Sequence, residues 1–186
     1  MDRRAALLDA GLQLWADTGW AAVTVPALCA ASGLSADDVT AEFDSAEDLL
    51  CEVFDDGTEE RAAEVLTAME AAGTNRFAQI RAALEAVATC LDRDPRHAVV
   101  LVEAVGCPAL RARRRAANRG FAAVIGAETL RLHNPPSPEE VSAAAQFCLG
   151  GLAELVLAWQ DAGSPVDREL LVEHGAKLFE ASLLAR

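Results

Sequence analysis

Apolar residues recur three and four positions apart along most of the chain, on alanine-rich stretches, and no stretch alternates for long enough to predict a strand. The pattern predicts an all-α protein. A first helix is expected over about residues 2–18, with Leu7, Leu8, Leu12 and Trp15 on one side and Thr18-Gly19 ending it. Thr24 stands where it would cap a short helix, and Pro26 is tolerated in that helix's first turn because its missing N–H has no partner there in any case. Gly33 marks the turn out. Ser35 is placed to cap a second short helix with Asp37 and Asp38 in its first turn, and Ser45 a long one with Glu47 and Asp48 in the same places.

After Gly73 the segments lengthen. Phe77, Ile80, Leu84, Val87 and Leu91 form a stripe that ends near Asp94-Pro95. The run AVVLVEAV, residues 98–105, is apolar except for Glu103 and is expected to be buried. Pro108 opens a helix to about Leu132, and the loop HNPPSP follows it. Ser137-Pro138-Glu139-Glu140 reads as a capping box with proline at the first helical position. From there Val141, Ala145, Cys148, Leu152, Leu155 and Trp159 repeat at spacings of 4, 3, 4, 3 and 4, a seam for a partner helix. A last helix from about Asp167 carries Leu171, His174, Leu178 and Leu183 and is expected to pack antiparallel on the preceding one, with His174 as a core histidine.

The chain has 186 residues, 52% of them hydrophobic, enough for one substantial domain or a small one joined to a larger one. No run near twenty residues lacks a charge or a break, so no membrane span is expected. Asp9 interrupts what would be the apolar part of an export signal, which points to the cytoplasm. The cysteines (Cys29, Cys51, Cys90, Cys107, Cys148) are far apart and set among small apolar residues, the usage of buried thiols, and no Cys/His spacing suits a metal. Net charge is −13, and its distribution matters more than its size. Residues 1–50 hold two bases, Arg3 and Arg4, against nine acids. A nucleic-acid module ordinarily shows the reverse, since Lys and Arg must replace the counterions that phosphates release.

The order of elements in this acidic quarter nevertheless resembles the tetracycline-repressor (TetR) family of regulators. The likeness is carried by ALLDAGLQLWADTGW (6–20), TVPALCAASGLS (24–35) and the spacing of Phe43, Ser45, Glu47 and Leu49, and extends as pattern alone to the final two helices. It implies a helix-turn-helix domain at residues 1–46 and a helical ligand-binding and dimerisation domain at 47–186, in a homodimer that binds operator DNA and a small apolar or amphipathic ligand. The DNA-contact candidates are Arg3, Arg4, Thr24, Ser35, Ala36, Asp37 and Thr40, with the helix starts at Thr24 and Ser35 as sources of backbone donors. The dimer candidates are Leu152, Leu155, Leu171, His174 and Leu178. Three positions depart from the family: Thr40 stands for its usual tyrosine, Glu42 for its histidine or tyrosine, and Ala46 for its lysine. Those family side chains hold phosphates. Carboxylates of Asp37, Asp38 and Glu42 are able to accept from cytosine N4, provided that other groups neutralise the backbone.

Several residues keep two readings. Arg111, Arg113, Arg114, Arg115 and Arg119 form either a solvated face that answers the protein's own acids, or a gate for an anionic ligand or dock for an acidic partner. Glu103 either meets an arginine or orients a ligand in a pocket. Phe121, Phe147, Cys148 and Trp159 suit core packing or the lining of that pocket. Gly150-Gly151 inside a helix suggests close approach across a helix pair. No nucleophile elbow, metalloprotease motif or phosphate loop is present, and the reading is of a non-enzymatic protein without cofactor. A descendant of the family that has lost DNA reading and binds a protein or small molecule is the alternative.

Overall fold

A computed structural model describes residues 2–103, 106–129, 136–161 and 166–184. All regular structure among them is helical: α1 (Arg3–Thr18), α2 (Val25–Ser32), α3 (Ala36–Glu42), α4 (Ala46–Ala71), α5 (Arg76–Arg93), α6 (His97–Glu103), α7 (Pro108–Thr129), α8 (Pro138–Gln160) and α9 (Arg168–Leu184), with a single 3-10 turn at Trp20–Ala22. The all-α expectation holds.

Local chemistry accounts for most of the helix ends. Asp2 caps α1 by accepting from the Arg4 N–H, and Thr24 caps α2 by accepting from Ala27. Ser35 and Ser137 each form a full capping box, with Asp38 and Glu140 as the reciprocating acids. Ser45 accepts from the Asp48 N–H at 3.1 Å at the head of α4, and Asp167 accepts from Leu170 at 2.8 Å at the head of α9. Gly33 ends α2 at φ 73°, a left-handed conformation that a side chain would disfavour. The expected helix end at Leu132 and the loop that begins at His133 fall largely outside the described residues, as do residues 104–105 of the 98–105 run and the side chain of Leu183.

Two compact units are present, one of residues 1–60 with 94–113 and the other of residues 61–93 with 114–186. The division falls inside α4 and α7, and the segment around α6 packs with α1 in the first unit. In that unit Leu7, Trp15, Leu28, Val39 and Leu49 are buried around a common core. Gly11 of α1 is the point of closest approach, since a Cβ there would run into the buried side chain of Leu49. Ala98 and Val100 of α6 are buried too, whereas Val99, Leu101 and Val102 are half-buried and Glu103 is exposed.

In the second unit α9 packs on α5 and on α8. Leu84, Ala88, Leu91, Leu171, Val172 and Ala176 fill the α5–α9 contact, and Gly175 lets Leu84 approach to within 2.9 Å of where a Cβ would stand. Polar pairs flank it: Arg81 with Glu173, and Arg168 with Glu85, Asp92 and the Thr89 hydroxyl. Val141, Ala145, Cys148, Ala153 and Val156 are the buried positions of α8. By length and composition α8 is apolar enough to cross a membrane, though only 28% of its most apolar window is buried within the chain.

A candidate nucleic-acid interface in the first unit

The first unit presents a short helix, a glycine turn and a second short helix, with α3 displayed on the outside. Val39 and Phe43 anchor α3 inward, 1% and 5% exposed. Ala36, Asp37, Thr40 and Ala41 face outward, and Thr24 and Ser35 are exposed at the two helix starts. Every predicted DNA-contact residue therefore lies in this unit, and Ala36, Asp37 and Thr40 stand together on α3.

The cations are engaged elsewhere. Arg3 lies 3.3 Å from the Asp38 carboxylate. Arg4 donates from Nε to Oε1 of Glu52 at 2.8 Å and from its terminal nitrogens to Oε2 of Glu52 and to the Glu42 carbonyl, while its guanidinium carbon sits 4.5 Å over the Phe43 ring. The Glu42 carboxylate is 3.6 Å from the same guanidinium. Each base of residues 1–50 thus answers the unit's own acids, so neither guanidinium stands unpaired at the candidate interface. Asp38 is doubly held: hydrogen bonds from the Ser35 hydroxyl and N–H, with Arg3 nearby, keep its carboxyl below the ordinary aspartate value.

Other acids of the unit serve its framework. Arg96, at the start of α6, donates to Asp94 and also to Asp9 and Gln13 of α1. Those bonds hold the Asp94 carboxyl below its ordinary value. Glu103 accepts from the buried Trp15 indole at 3.3 Å. Its expected role is corrected on two counts: it is exposed, and its hydrogen-bond donor among the described residues is a tryptophan and not an arginine of the α7 cluster. One face of α6 lies on α1 and the other meets solvent, which lets an apolar run carry an acid. Asp55 pairs with Arg113, but burial outweighs that attraction and pushes its carboxyl up.

The remaining sites lie apart. Arg111, Arg115 and Arg119 are exposed along one face of α7 and make no ion pair among the described residues, so the self-answering reading of the cluster holds for Arg113 alone. Of the pocket candidates in the second unit, Cys148 is buried, Phe121 and Trp159 are half-buried, and Phe147 is 73% exposed. Of the dimer candidates, Leu152 and Leu155 are half-buried, Leu178 is 57% exposed and His174 is exposed, so His174 is a surface residue and not a core histidine. Leu171 is fully buried within its own chain and has no surface to offer a partner. The five cysteines are free thiols, and all but Cys29 are buried.

Sequence reasoning overlooked Glu52, the principal partner of Arg4. No local signal marks it, because the two are separated by 48 positions.

Two capped short helices joined by a glycine turn, the second facing outward, have the geometry of a helix-turn-helix. Residues 7–53 match the family model described as bacterial regulatory proteins, tetR family. The whole chain shares its fold with several solved structures. The fatty acid degradation regulator FadR from Bacillus halodurans superposes with a TM-score of 0.80 at 18% identity, over 100% of this chain and 98% of that one. The multidrug binding protein EbrR, complexed with malachite green, gives 0.72 at 19% identity over 96% and 98%. The regulator FadR from Bacillus subtilis, in complex with stearoyl-CoA, gives 0.71 at 16% identity over 98% of each chain. No curated protein matches in sequence.

Proposed function

We propose that the chain is a ligand-responsive transcriptional regulator of TetR type, with residues 1–46 as the DNA-reading part and residues 47–186 as the ligand-binding and dimerising part. The observation that carries the reading is α3 itself: a capped helix, anchored by Val39 and Phe43, that presents Ala36, Asp37, Thr40 and Ala41 outward within the stretch that matches the tetR family model. The fold neighbours solved with malachite green and stearoyl-CoA support an apolar or amphipathic small molecule as the effector. Phe121, Cys148 and Trp159 remain the candidates of the second unit to meet it. The reading needs neither catalysis nor a cofactor, and it places the protein in the cytoplasm with its DNA.

The working species is a homodimer. Phe147 of α8 and Leu178 of α9 are large apolar side chains left exposed on the two helices that carry the seam, and burying each would contribute about 1.5–3 kcal/mol. A second copy covers them by twofold symmetry, and this accounts for a long apolar α8 without a membrane.

DNA binding is weak for its class. With Arg3 and Arg4 tied to acids, few phosphates are neutralised and little counterion release is available. Electrophoretic mobility of the protein's own upstream DNA tests the function. Retardation by micromolar dimer at about 50 mM salt is expected, where electrostatic attachment is strongest. No retardation there would remove the regulator reading in favour of a family descendant that acts without DNA.

A further inference from the structure

The hydrogen-bonding capacity of the α3 surface is one-sided. The Thr40 hydroxyl donates its proton back to the Ala36 carbonyl at 3.0 Å, with the Asp37 carbonyl 3.3 Å away. The Ser35 hydroxyl donates to Asp38 at 2.6 Å. Asp37, Asp38 and Glu42 are acceptors when ionised, and Ala36 and Ala41 offer methyl groups. Both hydroxyl protons are thus used inside the helix, and the nearby guanidiniums of Arg3 and Arg4 point into the unit's own carboxylates. Asp37 is the exposed carboxylate of this helix that carries no ion pair or hydrogen bond to its side chain among the described residues.

In the major groove, guanine shows acceptors alone, N7 and O6, whereas cytosine N4 and adenine N6 are the donors and thymine adds a methyl group. We propose that α3 is an acceptor-only reading helix, in which Asp37 selects a cytosine amino group and the methyl groups of Ala36, Thr40 and Ala41 meet thymine. The inference rests on the regulator reading above and adds the base class that the helix selects. Its physical basis is mutual: a carboxylate set against guanine O6 and N7 faces two acceptors with no proton between them, while cytosine N4 supplies one.

Selection of bound duplexes from a randomised pool at about 50 mM salt, read by sequencing, tests it with the full chain, Asp37→Ala and Asp37→Asn. Asp37 is exposed, and these changes leave the core untouched. The wild-type protein is expected to enrich one cytosine per half-site, and exchanging that C·G pair for T·A is expected to weaken binding on the order of tenfold or more. Asp37→Ala should lose discrimination at that position alone. Asp37→Asn, which gains an amide donor, should turn the preference to adenine. Enrichment of guanine on the strand read at that position, or unchanged cytosine preference in Asp37→Ala, would overturn the inference and leave DNA binding standing. Retention of duplexes with no base preference would do the same. Failure of all three proteins to retain any duplex would overturn the regulator reading, and this inference with it.

Discussion

Arg4 donates two hydrogen bonds to the carboxylate of Glu52, 48 positions away, and is thereby withheld from any phosphate. Arg3 stands in the same relation to Asp38. Both bases of the proposed reading unit serve its own acids, and the consequences are measurable.

Freeing Arg4 should strengthen attachment to DNA. The double change Glu42→Gln and Glu52→Gln neutralises the two acids that form ion pairs with its guanidinium and leaves the shapes in place. Affinity at low salt is expected to rise, and the slope of log K against log salt to steepen by about 0.9 for each phosphate newly neutralised. Equilibrium binding across a salt series measures both, and an unaltered slope would mean that Arg4 never reaches the backbone.

Restoring the residues usual in the family should act in the same direction. Thr40→Tyr and Ala46→Lys return a phosphate-contacting hydroxyl and a cation to exposed or half-exposed positions. The pair is expected to tighten binding by on the order of tenfold or more at low salt, with thermal stability nearly unchanged. Fluorescence anisotropy with a labelled duplex is the measurement.

Phe147→Asp should dissociate the proposed dimer. The side chain is 73% exposed in the single chain, so the unfolding transition of the isolated subunit is expected to change little. A charge buried without a partner in a dimer contact costs several kcal/mol, enough to move micromolar protein toward monomer. Sedimentation velocity decides it: an undiminished dimer would place the contact elsewhere.

Asp94→Asn should flatten the acid limb of the stability curve. The Asp94 carboxyl is held below its ordinary value of 3.8, chiefly by the hydrogen bonds from Arg96. A carboxyl with a lowered folded value stabilises the native state fully above its unfolded value, and that stabilisation disappears as pH falls through the folded one. The variant should therefore be less stable than wild type at neutral pH and converge on it as pH drops below about 3.8. Urea midpoints across that window report the difference.

The sequence by itself determined the helices, their starts and the unit they compose. Thr24, Ser35, Ser45 and Ser137 each bond an N–H three positions on, and Gly33 supplies a left-handed turn, so each boundary is set by neighbours in the chain. Leu28, Leu34, Val39, Phe43 and Leu49 all lie in the stretch that matches the tetR family model. What only the tertiary structure decided were the pairings across distance. Arg4 finds Glu52, Trp15 finds Glu103 across 88 positions, and Leu171 turns inward while Phe147 stays out. Periodicity states which residues share a face of a helix but not what that face meets, because burial and charge pairing depend on which elements pack together. The disposition of Arg3 and Arg4, on which the strength of the proposed DNA binding turns, belongs to that second kind of information.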